Sequence, residues 1–131
     1  MVKVLDAHAL MAFFEKEQGY EKVKSLFSEA IDKDRNLFMT SVNYGEVYYI
    51  VLRERGLEKA KSIEYIIRTL PIDIIDVDIE LAKEAGTIKA HNKLSYADCF
   101  TAALAKLHKG EVITGDKEFK CLEKTIRINW L

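Results

Sequence analysis

An α/β domain with a mostly parallel sheet is the fold class that the sequence predicts, on three observations. Short β-branched runs alternate with longer stretches whose apolar residues recur at helical spacing. One proline, Pro71, and the lack of any repeat or low-complexity tract leave no linker, so residues 1–131 read as a single domain with one core. Acidic residues stand where two of the strands end, and parallel sheets collect their ligands at that edge.

The elements follow in order. "VKVL" (2–5) is a short β-branched strand, and "ALMAFFEKE" (9–17) carries apolar residues at helical spacing. "YEKVKSLFSEAIDK" (20–33) places Val23, Leu26, Phe27, Ala30 and Ile31 on one helical face. "LFMT" (37–40) is a second strand, and the helix after it spans 41–55, where Gly56 is suited to end it. "LEKAKSIEYIIRTL" (57–70) is an amphipathic helix stopped by Pro71, and "IDII" (72–75) is a third strand. Asp78 caps a helix that runs to about residue 91. After "HNKL", Ser95 opens the helix that holds Asp98. "EVIT" (111–114), a short helix around "KEFKCLEK" and a last strand "TIRIN" (125–129) complete the series.

Composition narrows the class of function. Twenty basic against 21 acidic residues give a net charge of −1, which argues against coating nucleic acid by electrostatics alone. An enzyme that imports positive charge as metal ions remains compatible with that balance. No apolar run approaches the ~20 residues of a membrane span. "MVKVLDAHAL" breaks its apolar run at Asp6 and does not read as a signal peptide, so a cytoplasmic location is the default expectation. Cys99 and Cys121 lack CxxC spacing; Cys99 lies in an apolar run and reads as a small buried hydrophobe.

Four acids stand out. Asp6 ends the first strand and Asp116 follows "VITG" at the end of the fourth, so both emerge at one edge if those strands are central and parallel. Glu46 has Val42, Tyr49 and Ile50 as helical neighbours, and Asp98 has Leu94, Thr101, Ala102 and Ala105. An acid on so apolar a face is costly unless paired, hydrogen-bonded or metal-bound. The "HNKL" loop must bring the Asp98 helix round to the acidic edge. Each residue also has an ordinary use. Asp6 can accept backbone hydrogen bonds, Asp116 can serve a turn, Glu46 can reach water, and Ser95-x-x-Asp98 fits a capping box. Four such coincidences in one chain favour a shared site.

"VLDAHAL", "SVNYGEVYY", "LSYADCFTAALA" and "VITGDKEF", in this order and spacing, resemble the motifs of PIN-domain ribonucleases, and among them the VapC-type toxins of toxin–antitoxin pairs. The resemblance spans essentially the whole chain. It implies a three-layer α/β/α domain with a mostly parallel five-stranded sheet, and carboxylates at Asp6, Glu46, Asp98 and Asp116 that bind metal and carry catalysis. It further implies a hydroxyl role for Thr114, a polar position at Ser41 (or Thr40), and a weaker match for a further acid at Glu118. A cognate antitoxin, a homodimer and an RNA substrate are implied in the same way.

Crowded carboxylates repel one another, and hard oxygen donors suit Mg²⁺ or Mn²⁺, as one or two ions. The expected reaction is hydrolysis of RNA phosphodiester bonds by metal-activated water, which needs no histidine base. His8 then reads as a polar residue of the strand-to-helix turn. Lys93 and Lys117, with Lys89 and Lys120, are candidates for phosphate contact. Two other readings keep parallel-strand acids: a receiver-like signalling domain, supported by Asp76 and Thr114 but lacking an acidic pair at Asp6, and a non-catalytic PIN-like module that binds RNA or protein. A dehalogenase-like phosphatase would want a second acid at position 8, where His8 stands.

Overall fold

Asp6 decides how the chain begins. In the computed structural model, which describes all of residues 1–131, strand β1 (Lys3–Leu5) stops at Asp6 and helix α1 (Ala7–Glu15) starts at the next residue. The Asp6 side chain accepts a hydrogen bond from the Ala9 amide at 2.8 Å, so it caps α1, and the helix starts two residues before the apolar stretch from residue 9. The chain continues through α2 (Tyr20–Lys33), β2 (Leu37–Thr40), α3 (Ser41–Arg55), α4 (Leu57–Thr69) and β3 (Ile72–Ile75). Gly56, at φ 89°, makes the corner between α3 and α4 in backbone that favours glycine. Next come α5 (Ile79–His91), capped by Asp78, α6 (Tyr96–Leu107), capped by Ser95, and β4 (Glu111–Thr114). A 3-10 helix (Lys117–Leu122) and β5 (Arg127–Trp130) close the series.

Five strands form one sheet in the order β3-β2-β1-β4-β5, and every adjacent pair is parallel. A receiver-like domain orders its strands 2-1-3-4-5, so the topology sets that reading aside. Successive residues of a strand point to opposite faces, and the two hydrophobic clusters divide accordingly. Leu5, Met39 and Ile113 face the cluster built with α1, α2, α3 and α4. Val4 and Val112 face the one built with α5, α6 and the 3-10 helix. This is the three-layer α/β/α arrangement that the resemblance implied. No helix is long and apolar enough to cross a membrane.

Two local expectations fail. Ile31 is 67% exposed, whereas Val23, Leu26, Phe27 and Ala30 are buried. At ~100° per residue Ile31 stands about 80° from Val23, just past the margin of the stripe that the other four define. The last strand begins two residues later than "TIRIN" suggests. Thr125 and Ile126 both donate their amides to the Leu122 carbonyl in a turn, and Trp130 rather than Asn129 pairs with Thr114.

Candidate metal centre

Because all strands are parallel, Leu5, Thr40 and Thr114 end at the same edge of the sheet. The next residues start helices there, and their side chains build the site. Asp6 is buried with both oxygens engaged: Oδ1 accepts from the Ala9 amide and Oδ2 from the Thr114 hydroxyl. The same Thr114 oxygen accepts from the Asp116 amide at 2.9 Å. Thr114 therefore links the acid after β1 to the acid after β4. Asp116 in turn caps the 3-10 helix by accepting from the Glu118 amide at 2.9 Å, which turns Glu118 back toward it.

On the other side, Asp98 lies in the first turn of α6. Its amide donates to Ser95 Oγ at 3.2 Å, so the expected cap is present, and its carboxylate stands near the other acids. The loop before it is fixed by Lys89, whose Nζ donates to the Leu94 carbonyl at 2.8 Å. That contact gives Lys89 a structural role in the loop. Carboxylate oxygens of Asp98, Asp116 and Glu118 lie within 4.8 Å of one another. Glu118, the weakest of the acids as judged from sequence, thus stands inside the tightest group.

Glu46 is half-buried on α3, and the residue that positions it is Asn43, to which sequence reasoning assigned no role. Asn43 is fully buried and uses its whole hydrogen-bonding capacity. Its Oδ1 accepts from the hydroxyls of Thr40 and Thr101, the latter at 2.8 Å. Its Nδ2 donates to the Ala97 carbonyl at 3.0 Å and to Glu46 Oε1 at 3.3 Å. One side chain thereby ties β2, α3 and α6 together and sets Glu46 opposite Asp98. The available signal was a polar residue one turn before Glu46, among the apolar neighbours that made Glu46 itself conspicuous. Thr40, not Ser41, caps α3, accepting from the Asn43 amide at 3.1 Å.

Electrostatics joins all five acids. Burial pushes the Asp6 carboxyl up to about 8; hydrogen bonds from Thr114 and Ala9 oppose this, and the nearby Asp98 and Asp116 add to it. Burial also raises Asp98, to about 6, against a hydrogen bond with Ser95 and with further repulsion from Glu46, Asp116 and Glu118. Glu46 is raised by burial and by Asp116, with Asn43 pulling the other way. A cation among these groups would relieve the repulsion. The donors are hard carboxylate oxygens, while Cys99 is buried against the Leu94 carbonyl, so the set fits Mg²⁺ or Mn²⁺ rather than a thiophilic metal.

Lys93, Lys117 and Lys120 are exposed and take part in no ion pair. His8 is exposed at the β1–α1 turn, its imidazole lying against Gly115, where an added Cβ would come within 2.6 Å of the ring.

No curated protein sequence matches the chain. Solved structures do. VapBC2 from Rickettsia felis, bound to a promoter DNA fragment, is 16% identical, with TM-score 0.76 over 100% of this chain and 99% of that one. DNA-bound VapBC from Salmonella typhimurium is 18% identical, with TM-score 0.78 over 98% and 97%. VapC20 of Mycobacterium tuberculosis, described as a toxin that cleaves the sarcin-ricin loop, is 15% identical, with TM-score 0.73 over 91% and 93%. These likenesses are of fold. At the level of sequence families, residues 3–124 match the PIN domain, and the chain belongs to that family.

Proposed function

We propose that the protein is a Mg²⁺- or Mn²⁺-dependent endoribonuclease and the toxin of a VapBC-type toxin–antitoxin pair. The observation that carries the reading is the convergence of Asp98, Asp116 and Glu118 oxygens within 4.8 Å, with Asp6 and Glu46 coupled to them. Asp98, Asp116 and Asp6 would hold the metal, with Glu46 and Glu118 completing the set. Bound there, a divalent ion makes water a stronger nucleophile at neutral pH and stabilises charge on the phosphoryl oxygens. The chain's own residues do the rest. Thr114 holds Asp6 and Asp116 in one register, and Asn43 holds Glu46 where it can orient the attacking water. Ser95 fixes the first turn of α6 beneath Asp98.

An antitoxin partner belongs to the same reading. The Rickettsia and Salmonella structures are toxin–antitoxin complexes, and this chain covers nearly the whole of the chains it matches in them. Tyr49 and Leu52 of α3 and Leu57 and Tyr65 of α4 are exposed and offer apolar area to an antitoxin helix. A homodimer belongs to the same proposal.

The direct test is cleavage of a panel of RNAs with Mg²⁺, with Mn²⁺ and with chelator, comparing wild type with Asp116→Asn. Cleavage that requires metal and is lost in the variant supports the reading. RNA binding without cleavage under any metal would favour a non-catalytic PIN-like module instead.

A further inference from the structure

The strand-end segment Thr114–Gly115–Asp116 has two sides. Asp116 faces the acids, whereas Gly115 and the following Lys117 border a cleft of about 440 Å³ that also reaches His8, Gln18, Lys120 and Trp130. A larger cleft, about 550 Å³ between Val2, Leu37 and His108, contains none of the five site acids. The smaller one has the size of a small-ligand site, which spans roughly 300–1,000 Å³. Its chemistry is mixed in a specific way. Its lining includes Lys117 and Lys120, neither in an ion pair, together with Glu17, the aromatic residues Trp130 and His8, and Gln18, whose amide can donate and accept. The imidazole forms its wall only because residue 115 lacks a Cβ. Trp130 is held from outside the cleft, its Nε1 donating to Glu123 at 3.0 Å, so the indole is fixed in place.

We infer that this cleft is a nucleotide subsite, which seats the base of an unpaired RNA residue beside Trp130 and its phosphate on Lys117 and Lys120. The inference rests on the nuclease reading for its substrate. Aromatic surface next to cationic side chains is how unpaired bases are bound without regular base pairing, and the acids alone offer no surface to a base. Asp116 lies between Gly115 and Lys117, so the cleft borders the same segment that carries one of the acids. Selection of single-stranded over duplex RNA follows, because a stacked and paired base cannot enter the cleft.

Trp130 is the only tryptophan in the chain, so its emission reports the cleft directly. Nucleoside 5′-monophosphates, titrated without metal, should change that emission saturably with dissociation constants of about 1 mM, the range of a single weak subsite. The double variant Lys117→Ala/Lys120→Ala, both exposed positions, should weaken this binding about tenfold and raise KM for an RNA oligonucleotide by a similar factor, moving kcat much less. Inorganic phosphate should compete while leaving the emission itself nearly constant. Three results overturn the subsite: no saturable response, a response that ignores both lysines, or an acidic peptide that binds as well as the nucleotides do. Nucleotide binding is read without cleavage. A protein that binds nucleotide and cuts no RNA therefore sinks the nuclease reading, whereas one that cuts RNA with KM indifferent to both lysines sinks only the subsite.

Discussion

Asn43→Ala tests whether a single buried amide holds the two halves of the site together. The substitution removes four side-chain hydrogen bonds, with Thr40, Thr101, the Ala97 carbonyl and Glu46, and leaves the capping bond from the residue-43 amide to Thr40 intact. At about 1 kcal/mol net per neutral bond, with the Glu46 contact discounted because it is long and only partly buried, the loss is about 3–4 kcal/mol. That is a large part of the roughly 5–15 kcal/mol that keeps a domain folded. For a chain of this size it corresponds to a fall in Tm of about 10 °C or more. Thr101→Val is the matched control. It removes one of the two bonds to Oδ1, leaves Thr40 to satisfy that oxygen, and should cost about 1 kcal/mol. Urea denaturation of the two single variants and the double variant gives the coupling between the residues. A cost below about 1 kcal/mol for Asn43→Ala would mean that water replaces the amide at no loss, and the positioning argument for Glu46 would fall with it.

Other expectations concern the acids. Asp98→Asn should lower cleavage at least about 100-fold while leaving the protein as stable as wild type or more so, since it removes a buried charge from a repelling group; undiminished cleavage would remove Asp98 from the site. Asp6 and Asp98 both have folded pKa values above the unfolded value of 3.8, at about 8 and about 6. Their contribution to metal-free stability is therefore full below about pH 4 and is lost as pH rises through 6 and then 8. Melts without metal should show this decline, Asp6→Asn should flatten it, and Mg²⁺ should stabilise more at pH 8 than at pH 5; a metal-free protein that gains stability over that range contradicts the assignment. An RNA with a single 2′-deoxy residue at the scissile position should still be cut, because activated water does not need the 2′-hydroxyl, and complete resistance of that substrate would exclude the route.

What could be read from the sequence and what could not divide along physical lines. Asp6 and Thr114 sit at the ends of short β-branched runs, and two-residue alternation together with parallel strands places them at one edge without further information. Asp98 and Glu46 were visible because they interrupt apolar helical faces. Asn43 interrupts the same face but is uncharged, and an asparagine near a helix start reads as an ordinary polar residue until its four partners are known. Glu118 joins Asp98 and Asp116 only because the chain after β4 turns as a 3-10 helix, whose three-residue repeat no hydrophobic pattern announces. Lys89 differs from Lys93 and Lys117 in a way the sequence does not announce, since its ammonium group also donates to the carbonyl of Leu94. The later start of β5 has a related cause, since Thr125 and Ile126 are as β-prone as their successors and only the turn on Leu122 excludes them.

Asp6, Thr40, Ser95 and Asp116 each begin a helix as well as frame the site. The protein therefore cannot lose its acids by arbitrary substitution and keep its shape. Alanine at position 6 or 116 removes a cap worth about 1 kcal/mol along with the charge, whereas asparagine keeps an acceptor for the same amide. An inactive form meant for ligand-binding or structural work is better made with asparagine. A failed alanine variant at these positions says more about how the helices start than about catalysis.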